Sequence, residues 1–182
     1  QLLFRQAEEL RENSDLEAAK TYFQEIVSLD PYNETAPIRI TEIDAEIQEN
    51  EFSRIMSEGY LLLQAEEPES AIAAFQRAAA IGISLEEAEA AIRQTETEVA
   101  NAQIAQLRID ISSAEAEERW RDAVAAYDHV ITIDANFLFA LEGRELANQR
   151  MTLDQLLVEA IESPERFSDQ AVYQETLRYY FI

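Results

Sequence analysis

An alanine, three intervening residues and an aromatic ring recur three times along this chain: Ala19 with Phe23, Ala71 with Phe75, and Ala123 with Tyr127. Both intervals are 52 residues. Each pair sits in a similar eight-residue segment, beginning at Leu16, Pro68 and Trp120. In a helix, residues four apart lie on one face. The repeat therefore predicts three short helices that bury a small residue and a ring side by side, and a chain built from internally duplicated units. No stretch alternates in the manner of a strand, so the expected class is all-α.

Between the short helices lie two long stretches without an internal Gly-Pro or Asn-Gly breaker, Glu34 to Glu66 and Leu85 to Glu118. Pro37 falls near the start of the first, where a helix tolerates it. In the first stretch the apolar positions run Ala36, Ile40, Ile43, Ile47, then Phe52, Ile55, Gly59, Leu62; in the second they run Ala88, Ile92, Thr95, Val99, then Ile104, Leu107, Ile111, Ala114. Steps are three or four except at 47 to 52 and 99 to 104. A step of five turns the apolar face by about 140° relative to the 3.6-residue period. Each stretch thus predicts one helix of about 30 residues, some 45 Å long at the usual rise. Its first half would pack on the preceding short helix and its second half on the following one, unless the helix kinks at the switch.

Each segment resembles the second helix of a tetratricopeptide repeat. The residues that carry the likeness are the alanine at a helix crossing, the aromatic one turn on, and then Ile26, Ala78 or Val130. The closing Leu29-Asp30-Pro31-Tyr32-Asn33 is similar to that family's helix-ending Asp-Pro; Ile133-Asp134-Ala135-Asn136 has Ala for Pro, and Ile81-Gly82-Ile83-Ser84 departs further. The small residue of the family's first helix is matched by Gly59, and by Ala7 in the first unit, but not at Ile111. A tetratricopeptide unit is about 34 residues. The extra 18 or so are five helical turns, so one helix can lengthen while later faces keep phase.

The resemblance implies a TPR-like helical solenoid of alternating long and short helices over residues 1–162. Its units are about 1–33, 34–85 and 86–137, followed by a long helix from Phe137 to Glu162. Residues 163–182 would form a capping helix, from Glu165 or Ser168 to Tyr180 with Ser or Asp as its cap, or the start of another domain. Residues 1–14 align with 53–66, so Gln1 is expected to begin inside the second half of a long helix. With the apolar Tyr179-Tyr180-Phe181-Ile182 at the other end, the chain reads as a fragment. The packing residues implied are Ala19, Phe23, Gly59, Ala71, Phe75, Ala78, Trp120, Ala123 and Tyr127.

Composition narrows the chemistry. Against 37 acidic residues stand 14 basic ones, Lys20 the single lysine, for a net charge of −23. That repels nucleic-acid phosphate and anionic headgroups, and no basic cluster opposes it. Such a surface is well solvated and would also suit a salt-tolerant host. Hydrophobic residues make up 47%, enough for a core despite the charge. With no Cys and only three Gly, a disulfide framework, a thiolate metal site and a Gly-rich phosphate loop are excluded. The longest apolar pieces, Ala78 to Leu85 and Phe137 to Leu141, fall short of a membrane span.

His129 is the only histidine, one residue off the apolar stripe, and reads as a surface residue rather than a base. The acidic runs Glu66-Glu67-Glu69 and Glu115-Glu117-Glu118 lack the Gly-centred calcium-loop pattern. Trp120, Tyr22, Tyr60 and Phe137 are ligand anchors or, on the simpler reading, core. Family members that clamp a ligand's C-terminal carboxylate use Lys and Asn along their first helices, whereas Lys20 is alone and falls on a second helix. The expectation is a bacterial-type, non-catalytic scaffold with no cofactor or metal, binding a protein or peptide partner whose contacting segment is basic or basic-amphipathic. The alternative is a structural spacer in a membrane-anchored cell-envelope protein, in the periplasm or at the membrane, with a cytoplasmic location as the other possibility.

Overall fold

The structure is a computed structural model that describes residues 1–163, 165 and 168–180. Among these the chain is all-helical. Eight α-helices follow one another: α1 (Leu2–Glu12), α2 (Leu16–Leu29), α3 (Thr35–Gln64), α4 (Pro68–Ile81), α5 (Leu85–Ala116), α6 (Trp120–Ile133), α7 (Leu138–Glu162) and α8 (Gln170–Tyr180). The helices that carry the Ala-x-x-x-aromatic pairs, α2, α4 and α6, have 14 residues each, while α3, α5 and α7 have 30, 32 and 25.

Two compact units divide the chain, residues 1–97 and 98–182. The first holds two apolar cores. In one, Ala7, Ala19, Phe23 and Ile26 meet Ala36 and Ile43 from the first half of α3, with Ile40 and Ile47 alongside. In the other, Phe52, Ile55 and Met56 from the second half of α3 meet Ala71, Phe75 and Ala78, closed by Ala88 and Ala91 at the start of α5. The apolar face of α3 changes partner across its long step, and α3 remains one uninterrupted helix. The core of the second unit takes Ile104, Ile111 and Ala114 from the far part of α5 with Ala123, Tyr127, Val130, Ala140 and Ala147. Both long helices thus serve two cores, because the rotation of the apolar stripe at the long step gives each half its own buried face.

The turns that enter the short helices are as regular as the cores. Residues Ser14, Glu66 and Glu118, in phase with the repeat, have positive φ of 64°, 61° and 58°. One residue on, the amides of Asp15, Glu67 and Arg119 donate to the carbonyls of Leu10, Leu62 and Ala114 at 2.9, 3.0 and 2.7 Å. These are left-handed helix endings of the kind usually given to glycine. At the other end of the short helices, Asp30 and Asp134 accept from the amides of Tyr32 and Asn136 at 3.2 and 2.9 Å. Between them in phase stands Gly82, which ends α4 by adopting φ +82° instead. The departure of the second unit from Asp-Pro is therefore a change of capping device.

An L-residue in the left-handed region is strained by about 1–2 kcal/mol, and glycine returns part of that gain as unfolded-state entropy. Glu66→Gly and Glu118→Gly are each expected to stabilise by about 0.5–1 kcal/mol, read as a rise in urea midpoint. Glu117→Gly, next door at negative φ, should lower it.

Several boundaries differ from expectation. The two long helices stop at Gln64 and Ala116 rather than Glu66 and Glu118, because the left-handed turns at Glu66 and Glu118 end each of them two residues early. Phe137 precedes α7 as an extended residue (φ −70°, ψ 97°) rather than starting it. The last helix begins at Gln170 rather than at Glu165 or Ser168, with Asp169 as the capping residue, whose carboxylate accepts the amide of Ala171 at 2.8 Å. Pro164, Phe181 and Ile182, invoked for the end of α7 and the apolar terminus, lie outside the described residues.

Candidate functional site

The residues singled out by the repeat are brought together in pairs of helices. Ala19, Ala71 and Ala123 are fully buried, as are Phe23, Phe75 and Ala78, and Tyr127 is nearly so. Phe23 takes the edge of Phe4 at 5.3 Å between ring centres, and Phe75 that of Tyr60 at 5.2 Å. Gly59 faces the ring of Phe75: a Cβ there would lie 2.7 Å from Cδ1 and 2.8 Å from Cζ. Glycine is thus required by closeness, since α3 and α4 approach until the ring takes the space of a side chain. Trp120 opens α6 and packs half-buried against the second unit's core.

The third aromatic is seated differently. Where Gly59 would recur stands Ile111, 4% exposed, and an isoleucine leaves no hollow for a ring. Tyr127 turns to the following helix, where a Cβ on Gly143 would come within 2.5 Å of its Cε1. Its hydroxyl donates to Glu115 Oε1 at 2.9 Å. The sequence reading missed Gly143, although it stands one repeat interval beyond Ala91, a small core residue on the following helix of the unit before. The small residue has moved from one side of the ring to the other.

Ala→Leu at Ala71 or Ala123 inserts a branched side chain at a closed crossing and is expected to cost about 1–3 kcal/mol. Ala73 is exposed on the same helix as Ala71, and Ala73→Leu should stay within about 0.5 kcal/mol of the parent. Chemical denaturation of the three variants separates the two faces.

Charges tie α1 to α3. Arg11 reaches Glu42 at 2.9 Å and also binds Glu46, while Arg39 holds the same Glu42 at 2.8 Å and Glu8 at 2.9 Å. Arg39 first and Arg11 second hold the Glu42 carboxyl below the usual carboxylate range. Lys20 pairs with Asp44 at 2.6 Å, so the single lysine is engaged inside the fold. His129 is exposed. Among the described residues no group of three or more His, Cys, Asp and Glu is placed to hold a metal ion, and no helix is long and apolar enough to cross a membrane.

What remains open is a set of shallow clefts. In the first unit, the second half of α3 and the turn into α5 enclose about 330 Å³ above Phe52, Met56, Tyr60 and Ile83, with Glu49 and Glu87 at the edge. In the second unit, a cleft of about 340 Å³ lies between the start of α6, at Trp120 and Arg121, and Met151, Asp154 and Gln155 of α7. Of the four aromatic anchor candidates, Tyr60 is 47% exposed, whereas Tyr22, Trp120 and Phe137 pack against the cores. Comparison of the chain with protein-family models, with curated proteins and with solved structures finds no match.

Proposed function

We propose that the chain is a TPR-like helical-repeat scaffold, a solenoid whose work is to bind another protein. The observation that supports this most is the triple recurrence, in phase, of one buried Ala-aromatic crossing together with one left-handed turn. Units of that kind bury faces against neighbours and leave the rest of each helix as an extended surface for a peptide or helix. An excess of 23 acidic charges selects the partner's sign: like charges repel, and a basic or basic-amphipathic segment is steered in.

Panning a displayed random-peptide library on the chain tests the reading. Basic amphipathic sequences are expected to be enriched, and their Kd should rise at least tenfold as salt goes from about 0.05 to 0.5 M, where the screening length falls to roughly a third. Affinity constant across that range would reject electrostatic recognition in favour of an apolar groove. A library that yields no binder would reject the scaffold and leave the envelope spacer as the reading to pursue.

A further inference from the structure

The cleft between α3 and the start of α5 has an apolar floor and an unneutralised acidic edge. Phe52 and Met56 form its base at 5% and 4% exposure, with Ile83 and the exposed Tyr60 beside them. Glu49 and Glu87 make no ion pair among the described residues, because the nearby arginines are spoken for. Arg54 binds Glu51 and Glu58, Arg77 binds Glu58, and Arg93 binds Glu89.

The internal repeat supplies a comparison inside the same chain. At the matching place in the second unit, Met56 is replaced by Arg108 and Glu87 by Phe139. There the guanidinium carbon of Arg108 stands 4.2 Å from the centre of the Phe139 ring. The second unit thus provides its own guanidinium at this place, held on a ring that stands where the first unit has Glu87. In the first unit no cation stands at position 56, and the ring present is Tyr60, at the place of Ser112, with Glu49 and Glu87 beside it.

We propose that the cleft of Glu49, Phe52, Met56, Tyr60, Ile83 and Glu87 receives an arginine side chain from a basic segment of a protein partner. This rests on the scaffold reading and names its anchoring site. The methylene stem covers the apolar floor. The planar head stacks on Tyr60 and donates toward the two carboxylates, a pairing that a guanidinium makes better than an ammonium does.

The two methionines give the test a local reporter, since Met56 is in this cleft and Met151 in the one beside Trp120. The probe is a short alanine–arginine peptide, titrated into protein carrying methyl-labelled methionine. Its citrulline and lysine counterparts serve as comparison. The Met56 methyl resonance should move and that of Met151 should not. Citrulline should abolish the shift and lysine weaken it. Glu49→Gln with Glu87→Gln should weaken arginine binding roughly tenfold, from two partly exposed pairs. Glu12→Gln with Glu25→Gln removes the same charge elsewhere and should change little.

A shift confined to Met151, equal loss in both double variants, or a lysine peptide binding as tightly would each overturn the proposal. If the arginine peptide leaves Met56 unmoved while library-derived peptides still bind, this site is wrong and the scaffold stands. If neither binds, both fall.

Discussion

Phe75→Ala is expected to remove about 3–5 kcal/mol of stability, the range for emptying a fully buried ring site. Phe75 has no exposed surface and lies between Gly59 on one helix and Ala88 and Ala91 on another, so little can collapse into the space. Gly59→Leu should be destabilising by about 1–3 kcal/mol for the opposite reason: its side chain enters volume the ring already fills, and the gain in helix propensity does not offset that. The two together should cost less than their sum by about 1 kcal/mol or more, because the leucine occupies the hollow left by the ring. Urea titrations of the parent, both single variants and the double measure the coupling. Additive losses would mean that the ring does not sit over residue 59.

The same contact shows what a sequence can and cannot disclose. Ala71 and Phe75 are legible because burial imposes helical spacing on residue type, and duplication repeats the signal one interval to either side. The division of each long helix between two cores is legible for the same reason, since a step of five is a geometric statement about faces. The turns at Ser14, Glu66 and Glu118 are not. A left-handed residue is usually announced by glycine or asparagine, and here the hydrogen bonds to Leu10, Leu62 and Ala114 hold serine and glutamate in that conformation.

Gly143 is illegible because it follows its ring, where the small residue of the repeat precedes it at Gly59, and the switch of side is set by Ile111, which denies Tyr127 the hollow Gly59 offers Phe75. The α3–α5 cleft depends on which arginines already have carboxylate partners. Pairs such as Arg77 with Glu58, 19 residues apart, are set by helix packing and leave no mark in local sequence. The function is less legible still, since the repeat describes how helices pack and says nothing of what their open faces meet.

Tyr127 should make the chain lose stability in alkali. Burial, then the hydrogen bond to Glu115, then the charge of that carboxylate push the phenol up from 10.0 to about 12. The sign follows from which state holds the proton more tightly. Below pH 10 the phenol is protonated whether the chain is folded or not, and its contribution is complete. Above pH 10 the unfolded chain releases the proton while the folded chain keeps it, so stability falls with rising pH until the folded phenol ionises near 12. Over two pH units at about 1.4 kcal/mol each, the loss is about 2–3 kcal/mol. Tyr127→Phe keeps the ring in its seat against Gly143 but gives up the bond to Glu115, about 1 kcal/mol at pH 8. It then has no phenol to titrate. The stability curves of parent and variant, followed by urea midpoint from pH 8 to 12, should therefore converge and cross. The weakening of the Lys20–Asp44 pair in the same range is common to both proteins and cancels. Parallel curves would mean that the hydroxyl is not buried against Glu115.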